Sequence, residues 1–176
     1  MAEIKQVGVV GAGLMGHGIA QVAAQAGYDV VVREVDDEAL AKGIGKIEKQ
    51  LARAVEKGKA EQADADAVLG RIRGTTDYKD LADRDLVIEA ITEDLELKRA
   101  MWKELSEIVK DEALFATNTS SLPVIAQAAV TDRPDRFLGP GFRPARARHL
   151  SVRGIVATYS YLGAPWLAAG HGTPGG

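Results

Sequence analysis

Two hydrophobic patterns alternate along the chain. Short unbroken apolar runs, bounded by glycines or charges, recur at "IKQVGVV", "YDVVVRE", "IRGTTDY", "DLVIEAI", "ALFATNT" and "RFLG". Runs of this length predict strands buried on both faces. Longer stretches between them place apolar residues three and four apart. In "LMGHGIAQVAAQAG" these are Leu14, Ile19, Val22 and Ala26, with Gly27 as a stop. In "DDEALAKGIGKIEKQLARAVEKGK" they are Leu40, Ile44, Ile47, Leu51 and Val55. Acids open that segment and lysines close it, which complements a helix dipole. "EQADADAVLGRI" predicts another helix. "LELKRAMWKELSEIVKD" predicts one with Leu97, Met101, Leu105 and Ile108 on one stripe. "LPVIAQAA" predicts a short one, with Pro123 tolerated near its first turn. The order β-α-β-α-α-β-β-α-β-α-β predicts an α/β fold: a Rossmann-like, doubly wound, mostly parallel sheet with helices on both faces.

The pattern fails after Gly139. Residues 140–176 contain no Asp, Glu, Lys, Asn or Gln, and "RPARARHL", "ATYSYLGAPWLAAG" and "HGTPGG" show no period. One folded domain over residues 1–139 and an irregular tail over 140–176 are expected. Composition adds little: 46% hydrophobic and 27% charged residues in 176 are ordinary for a soluble domain with one core. Charge adds more. The net −3 hides −8 over residues 1–135 and +5, all from arginine, over the remainder. The net charge gives no footprint for nucleic acid or an anionic membrane as partner. The absence of cysteine excludes disulfides and thiolate metal sites and fits a cytoplasmic protein. No apolar run approaches the roughly 20 residues of a membrane span, and "MAEIKQVGVV" does not read as a signal peptide.

The candidate chemistry begins at "GVVGAGLMGHGIA", which holds G-x-G-x-x-G as Gly11, Gly13 and Gly16. The motif follows a strand and opens a helix, the context in which it binds a dinucleotide. Gly11 would permit the tight turn, Gly13 the approach of a pyrophosphate, and Gly16 close packing of helix on strand. Leu14 and Met15 lie in the same loop, whose helix offers free N–H groups to phosphates. An acid about 20 residues on should hold the adenosine ribose. Glu34, ending "VVVRE", is that candidate, with Asp36 the runner-up. A carboxylate there repels a 2′-phosphate and favours NAD over NADP; Arg33 beside it tempers this only slightly.

More specific are "TTDYKDLADRDLVIEA", "DLVIEAITEDLELKRAMWKEL" and "FATNTSSLPVIAQ". With "VGVVGAGLMGHGIAQVAAQAGYDVVV" they resemble the NAD-binding domain of the 3-hydroxyacyl-CoA dehydrogenase family, including the 3-hydroxybutyryl-CoA dehydrogenases, from about residue 4 to 139. The resemblance implies oxidation of the 3-hydroxyl of an acyl-CoA with hydride passed to NAD. It implies that Glu93 and Lys98 line the cofactor site and that Ser120 contacts the substrate oxygen and nicotinamide. It implies that Lys57 touches coenzyme A. Gln50 stands where some members have a serine that contacts coenzyme A. Judged without the family, Ser120 could cap the helix that begins near Leu122, and Lys57 could be a cation at a helix C-terminus. His17, on the helix facing the phosphates, reads as a packing or cofactor-edge residue.

The resemblance breaks at Pro140. Family members continue with a segment like "MHFFNPVPVMKLVEVV", whose His is the base, whose later Glu orients it, and whose Asn helps hold the nicotinamide. Here Pro140 and Gly141 stand where the His should, and Arg143 where the Asn should. His149 lies about eight residues late among arginines, and His171 near the chain end. The helical domain that forms the family's homodimer would also follow here, so that interface is expected to be largely missing. The Ala, Gly, Pro and Arg bias is what GC-rich codons give in a wrong frame. A divergent paralogue, or a half-subunit that needs a partner, would produce the same break. Translating the other two frames after the Gly139 codon separates a shifted frame from both.

Overall fold

The computed structural model describes residues 4–139. The tail, with His149, His171, Pro140, Gly141 and Arg143, lies outside the described residues. The six strands are β1 (Gln6–Val10), β2 (Asp29–Arg33), β3 (Ile72–Thr75), β4 (Leu86–Glu89), β5 (Leu114–Thr117) and β6 (Phe137–Leu138). The helices are α1 (Gly16–Gln25), α2 (Asp37–Glu56), α3 (Gln62–Gly70), α4 (Leu95–Ile108) and α5 (Val124–Ala128). The strands form one sheet in the order β3-β2-β1-β4-β5-β6, and every pairing is parallel. This is the doubly wound parallel sheet the sequence predicts, now with its strand order. Two short 3-10 turns, Tyr78–Leu81 and Pro134–Arg136, are additional.

Alternate strand residues feed opposite faces, the period of two that a sheet imposes. Val7, Val9, Val30, Val32, Leu86 and Ile88 join one cluster with α1, α2 and α3. Val31, Val87 and Phe115 join the other with α4. Trp102 centres that second cluster. Its ring lies 4.9 Å from those of Phe115 and Phe137, and its Nε1 donates to the buried Gln127 of α5 at 3.1 Å. Arg133 closes the C-terminal end of α4 by donating to the carbonyls of Ser106 at 3.0 Å and Val109 at 3.1 Å, where a helix carries its negative pole.

Two helices bury a face that differs in part from the stripe read in the sequence. In α1 the expected Ile19 is buried and Val22 half-buried, but Leu14 and Ala26 fall outside the helix at the surface, and Gly16, His17, Ala20, Ala23 and Ala24 complete the buried face. Small residues let α1 lie close to the sheet, so the face is set by Gly and Ala rather than by the larger apolar side chains. In α4 the buried residues are Lys98, Met101, Trp102 and Leu105; Leu97 is half exposed. A lysine in the core displaces the leucine from the expected stripe. The amphipathic reading of α2 holds: Ile47 and Leu51 are buried, and Leu40, Ile44 and Val55 pack against the core.

Candidate functional site

Strand register sets Thr75, Arg33, Val10, Glu89 and Thr117 side by side at the carboxyl edge of the sheet. The next row in, Gly74, Val32, Val9, Ile88 and Ala116, carries no charge. The chain reverses direction across the sheet between β1 and β4, which is where open α/β sheets bind ligands. A cavity of about 470 Å³ opens there, its lining including Gly11, Gly13, Glu34, Val35, Tyr78 and Leu97.

The three motif glycines play three different parts. Gly11 has φ of 94°, and a Cβ on it would lie 2.7 Å from the Ala90 carbonyl oxygen. A Cβ on Gly16 would lie 1.7 Å from the Gly11 oxygen, so the start of α1 can sit on the turn only without a side chain. A Cβ on Gly13 would meet nothing within 4 Å. Its glycine leaves open space beside the loop and is not required by the packing. Met15 packs partly against the core, while Leu14 points outward. No side chain caps α1, so its first N–H groups keep their capacity for an anion.

Glu34 follows β2 directly. Its Oε1 accepts from Ala12 N at 2.5 Å and its Oε2 from Val35 N at 3.1 Å, drawing the carboxylate onto the glycine loop. Asp36 is committed elsewhere: it is the N-cap of α2 and accepts from Ala39 N at 2.8 Å. Arg33 lies 3.7 Å over the Tyr78 ring and donates to its hydroxyl at 3.0 Å, a wall of the cavity that sequence patterning does not disclose. Burial pushes the Tyr78 phenol above its ordinary range, with Arg33 opposing and Glu104 and Glu34 adding to the rise.

On the other side of the crevice Glu93 and Lys98 do meet. Lys98 is 1% exposed, and its ammonium donates to Glu93 and lies 3.0 Å from Oε1 of Glu89. Burial acts to raise the Glu93 carboxyl, but donation from Lys98, Thr119 and Ser121 outweighs it and the group lies below its usual range. Glu93 does not cap α4; Asp94 does, accepting from Leu97 N at 2.9 Å. Ser120 is exposed beside this group. The capping role considered for it is not seen: α5 has Pro123 as its N-cap and no side-chain cap, and Thr119 Oγ1 accepts from Leu122 N at 2.9 Å in the turn before the helix.

The remaining candidates lie on α1 and α2. Lys57 is the exposed C-cap residue of α2. Gln50 contacts His17 Nε2 at 3.2 Å, and His17 Nδ1 contacts the Gly13 carbonyl at 2.5 Å, so His17 is a buried brace for the loop. Four further residues of the site escape sequence reasoning. A Cβ on Gly43 would lie 2.3 Å from that of Ala12, so this glycine lets α2 close on the glycine loop. Glu89, Thr117 and Thr119 are the others. An acid inside the apolar run "DLVIEAI" is the available signal for the first of these three.

Residues 6–150 match the family model described as 3-hydroxyacyl-CoA dehydrogenase, NAD binding domain. A curated relative, "Probable 3-hydroxybutyryl-CoA dehydrogenase" of Deinococcus radiodurans, is 53% identical over 135 residues, covering 77% of this chain and 48% of the relative. The crystal structure of FadB2 from Mycobacterium tuberculosis superposes with a TM-score of 0.77 at 47% identity, over 78% of this chain and 49% of that one. That of the (S)-3-hydroxybutyryl-CoA dehydrogenase PaaH1 from Ralstonia eutropha gives 0.76 at 39% identity, over 90% and 60%. The chain spans about half the length of the curated relatives it matches. With this match lying over the glycine loop, Glu34 and the Glu93–Lys98 pair, the chain belongs to the 3-hydroxyacyl-CoA dehydrogenase family, through its NAD-binding domain.

Proposed function

We propose that residues 1–139 are the NAD-binding half of an enzyme that oxidises 3-hydroxyacyl-CoA. The observation that carries this reading is the glycine loop with the Glu34 carboxylate drawn onto it by Ala12 N. The residues fit the cofactor. Open space at Gly13 and the uncapped start of α1 suit a pyrophosphate. Glu34 suits the two ribose hydroxyls of NAD and disfavours a 2′-phosphate. When bound, NAD supplies the acceptor for the hydride leaving the 3-hydroxyl carbon.

In this reading Glu93, Lys98 and Ser120 serve the nicotinamide end, and Ser120 also donates to the substrate oxygen. Lys57 meets a phosphate of coenzyme A as a point charge. Loss of a general base and its orienting carboxylate lowers turnover by several orders of magnitude. The residues from Pro140 onward supply no carboxylate side chain at all. We therefore expect the 176-residue chain to bind NAD weakly and turn over poorly or not at all, which makes a non-catalytic NAD-binding module the second reading. NADH oxidation with acetoacetyl-CoA separates the two. Turnover at the rate of ordinary dehydrogenases would overturn the expected impairment, and failure to bind NADH would overturn the cofactor assignment.

A further inference from the structure

We propose that Glu89 is a positioning residue for the nicotinamide end of the site, acting through Lys98 and Glu93 without touching the cofactor. This rests on the proposed placement of the nicotinamide beside Glu93 and Ser120. Glu89 is the last residue of β4 and is 0% exposed. Its Oε1 accepts from Ile91 N at 2.8 Å, fixing the start of the loop to α4. Its Oε2 accepts from Thr117 Oγ1 at 2.5 Å, fixing the end of β5. The Lys98 ammonium lies 3.0 Å from Oε1, fixing the first turn of α4. One buried carboxylate thus ties together the three segments that end at the crevice on this side.

The contacts then run outward. Lys98 donates onward to Glu93, whose side chain is 46% exposed. Glu93 Oε1 accepts from Thr119 Oγ1 and, at 2.9 Å, from Ser121 Oγ. Those two hydroxyls flank Ser120. The path from the core to the exposed edge is therefore Glu89, Lys98, Glu93, then the loop that carries Ser120. A device for stability alone gains little from this arrangement, because a buried ion pair is often no more stabilising than an apolar replacement. Two carboxylates around one ammonium are also not needed to satisfy a buried lysine. What the arrangement does provide is a fixed direction for Glu93 and its loop, since each oxygen named has a donor at a set place.

Titration of the full chain with NADH and with ADP-ribose tests this, because ADP-ribose keeps the adenosine and both phosphates but lacks the nicotinamide. Glu89→Gln should weaken NADH about tenfold, the loss expected when a hydrogen bond to a charged group is removed, and change ADP-ribose less than about twofold. Thr117→Val removes only a hydroxyl and keeps the side-chain shape. It should show the same pattern at about threefold, and it decides the matter if Glu89→Gln fails to fold. Equal losses for both ligands in the deciding variant, or no loss for NADH, would reduce Glu89 to a structural role and overturn the proposal. A wild-type chain that binds neither ligand would overturn the cofactor reading itself, and the positioning role with it.

Discussion

Strand β4 has a carboxylate at each end, and the two live under opposite conditions. Asp85 precedes the strand at the amino edge of the sheet. Its Oδ2 accepts from Lys5 N and Gln6 N, both at 2.8 Å, and its Oδ1 from Lys110 Nζ at 2.5 Å. Burial acts to raise this carboxyl, but its three donors outweigh burial and it lies below the ordinary range. Glu89 closes the strand at the carboxyl edge. Burial there outweighs Thr117, Lys98 and Ile91 N, and the group is pushed above the ordinary range. The same chemical group is a clip joining the starts of β1 and β4 to the segment after α4 at one edge and an electrostatic burden at the other. The fold carries that burden at the edge where the cavity opens, and perturbed carboxyls cluster at functional sites.

Removing the cation should separate the edges most. Lys98→Met leaves Glu89 buried without its ammonium and should destabilise the chain by about 3–5 kcal/mol in a urea melt at pH 7. The double variant with Glu89→Gln should recover part of that loss; no recovery would mean the two residues are not coupled. Next in size is Asp85→Asn, at about 2 kcal/mol near neutrality and with NADH affinity unchanged. Because the folded Asp85 carboxyl is depressed, its stabilisation is present above the ordinary aspartate range and lost as pH falls through the folded value. The gap between variant and wild type should therefore close in acid.

For Glu89 the sign reverses. Its folded carboxyl is raised, so its contribution is full below the ordinary glutamate range and lost as pH rises through the folded value. Glu89→Gln should gain on wild type as pH is raised from about 5 to about 8, and a parallel pair of melts at the two pH values would contradict the assignment. Smallest is Lys110→Met, below about 1 kcal/mol and further reduced by salt, since Lys110 is 38% exposed and screened by solvent.

The frame of the sheet is legible from the sequence, its carboxyl edge only in part. Element order follows from apolar runs and helical spacing, and the three glycines declare themselves by their place between a strand and a helix. Glu34 is legible by its distance from Gly11, and Asp36 drops behind it because that side chain is occupied as a helix cap. What helix periodicity cannot read is a charge that faces inward. Hydropathy puts Leu97 on the inner stripe of α4 because nothing within the helix tells that Lys98 has a buried partner. That partner, Glu89, lies on another element, and only strand register brings Thr117 beside it. The face of α1 is legible only through Ile19 for a related reason: the Gly and Ala that make up most of it carry little contrast for periodicity to detect.

Fluorescence titration of the full chain with NADH and NADPH tests the central claim most directly, that the edge built from Gly11, Gly13, Gly16 and Glu34 is an NAD site. The account predicts saturable NADH binding and NADPH weaker by at least about tenfold, because the 2′-phosphate would meet the Glu34 carboxylate. Equal affinity for the two, or no binding of NADH, would contradict it.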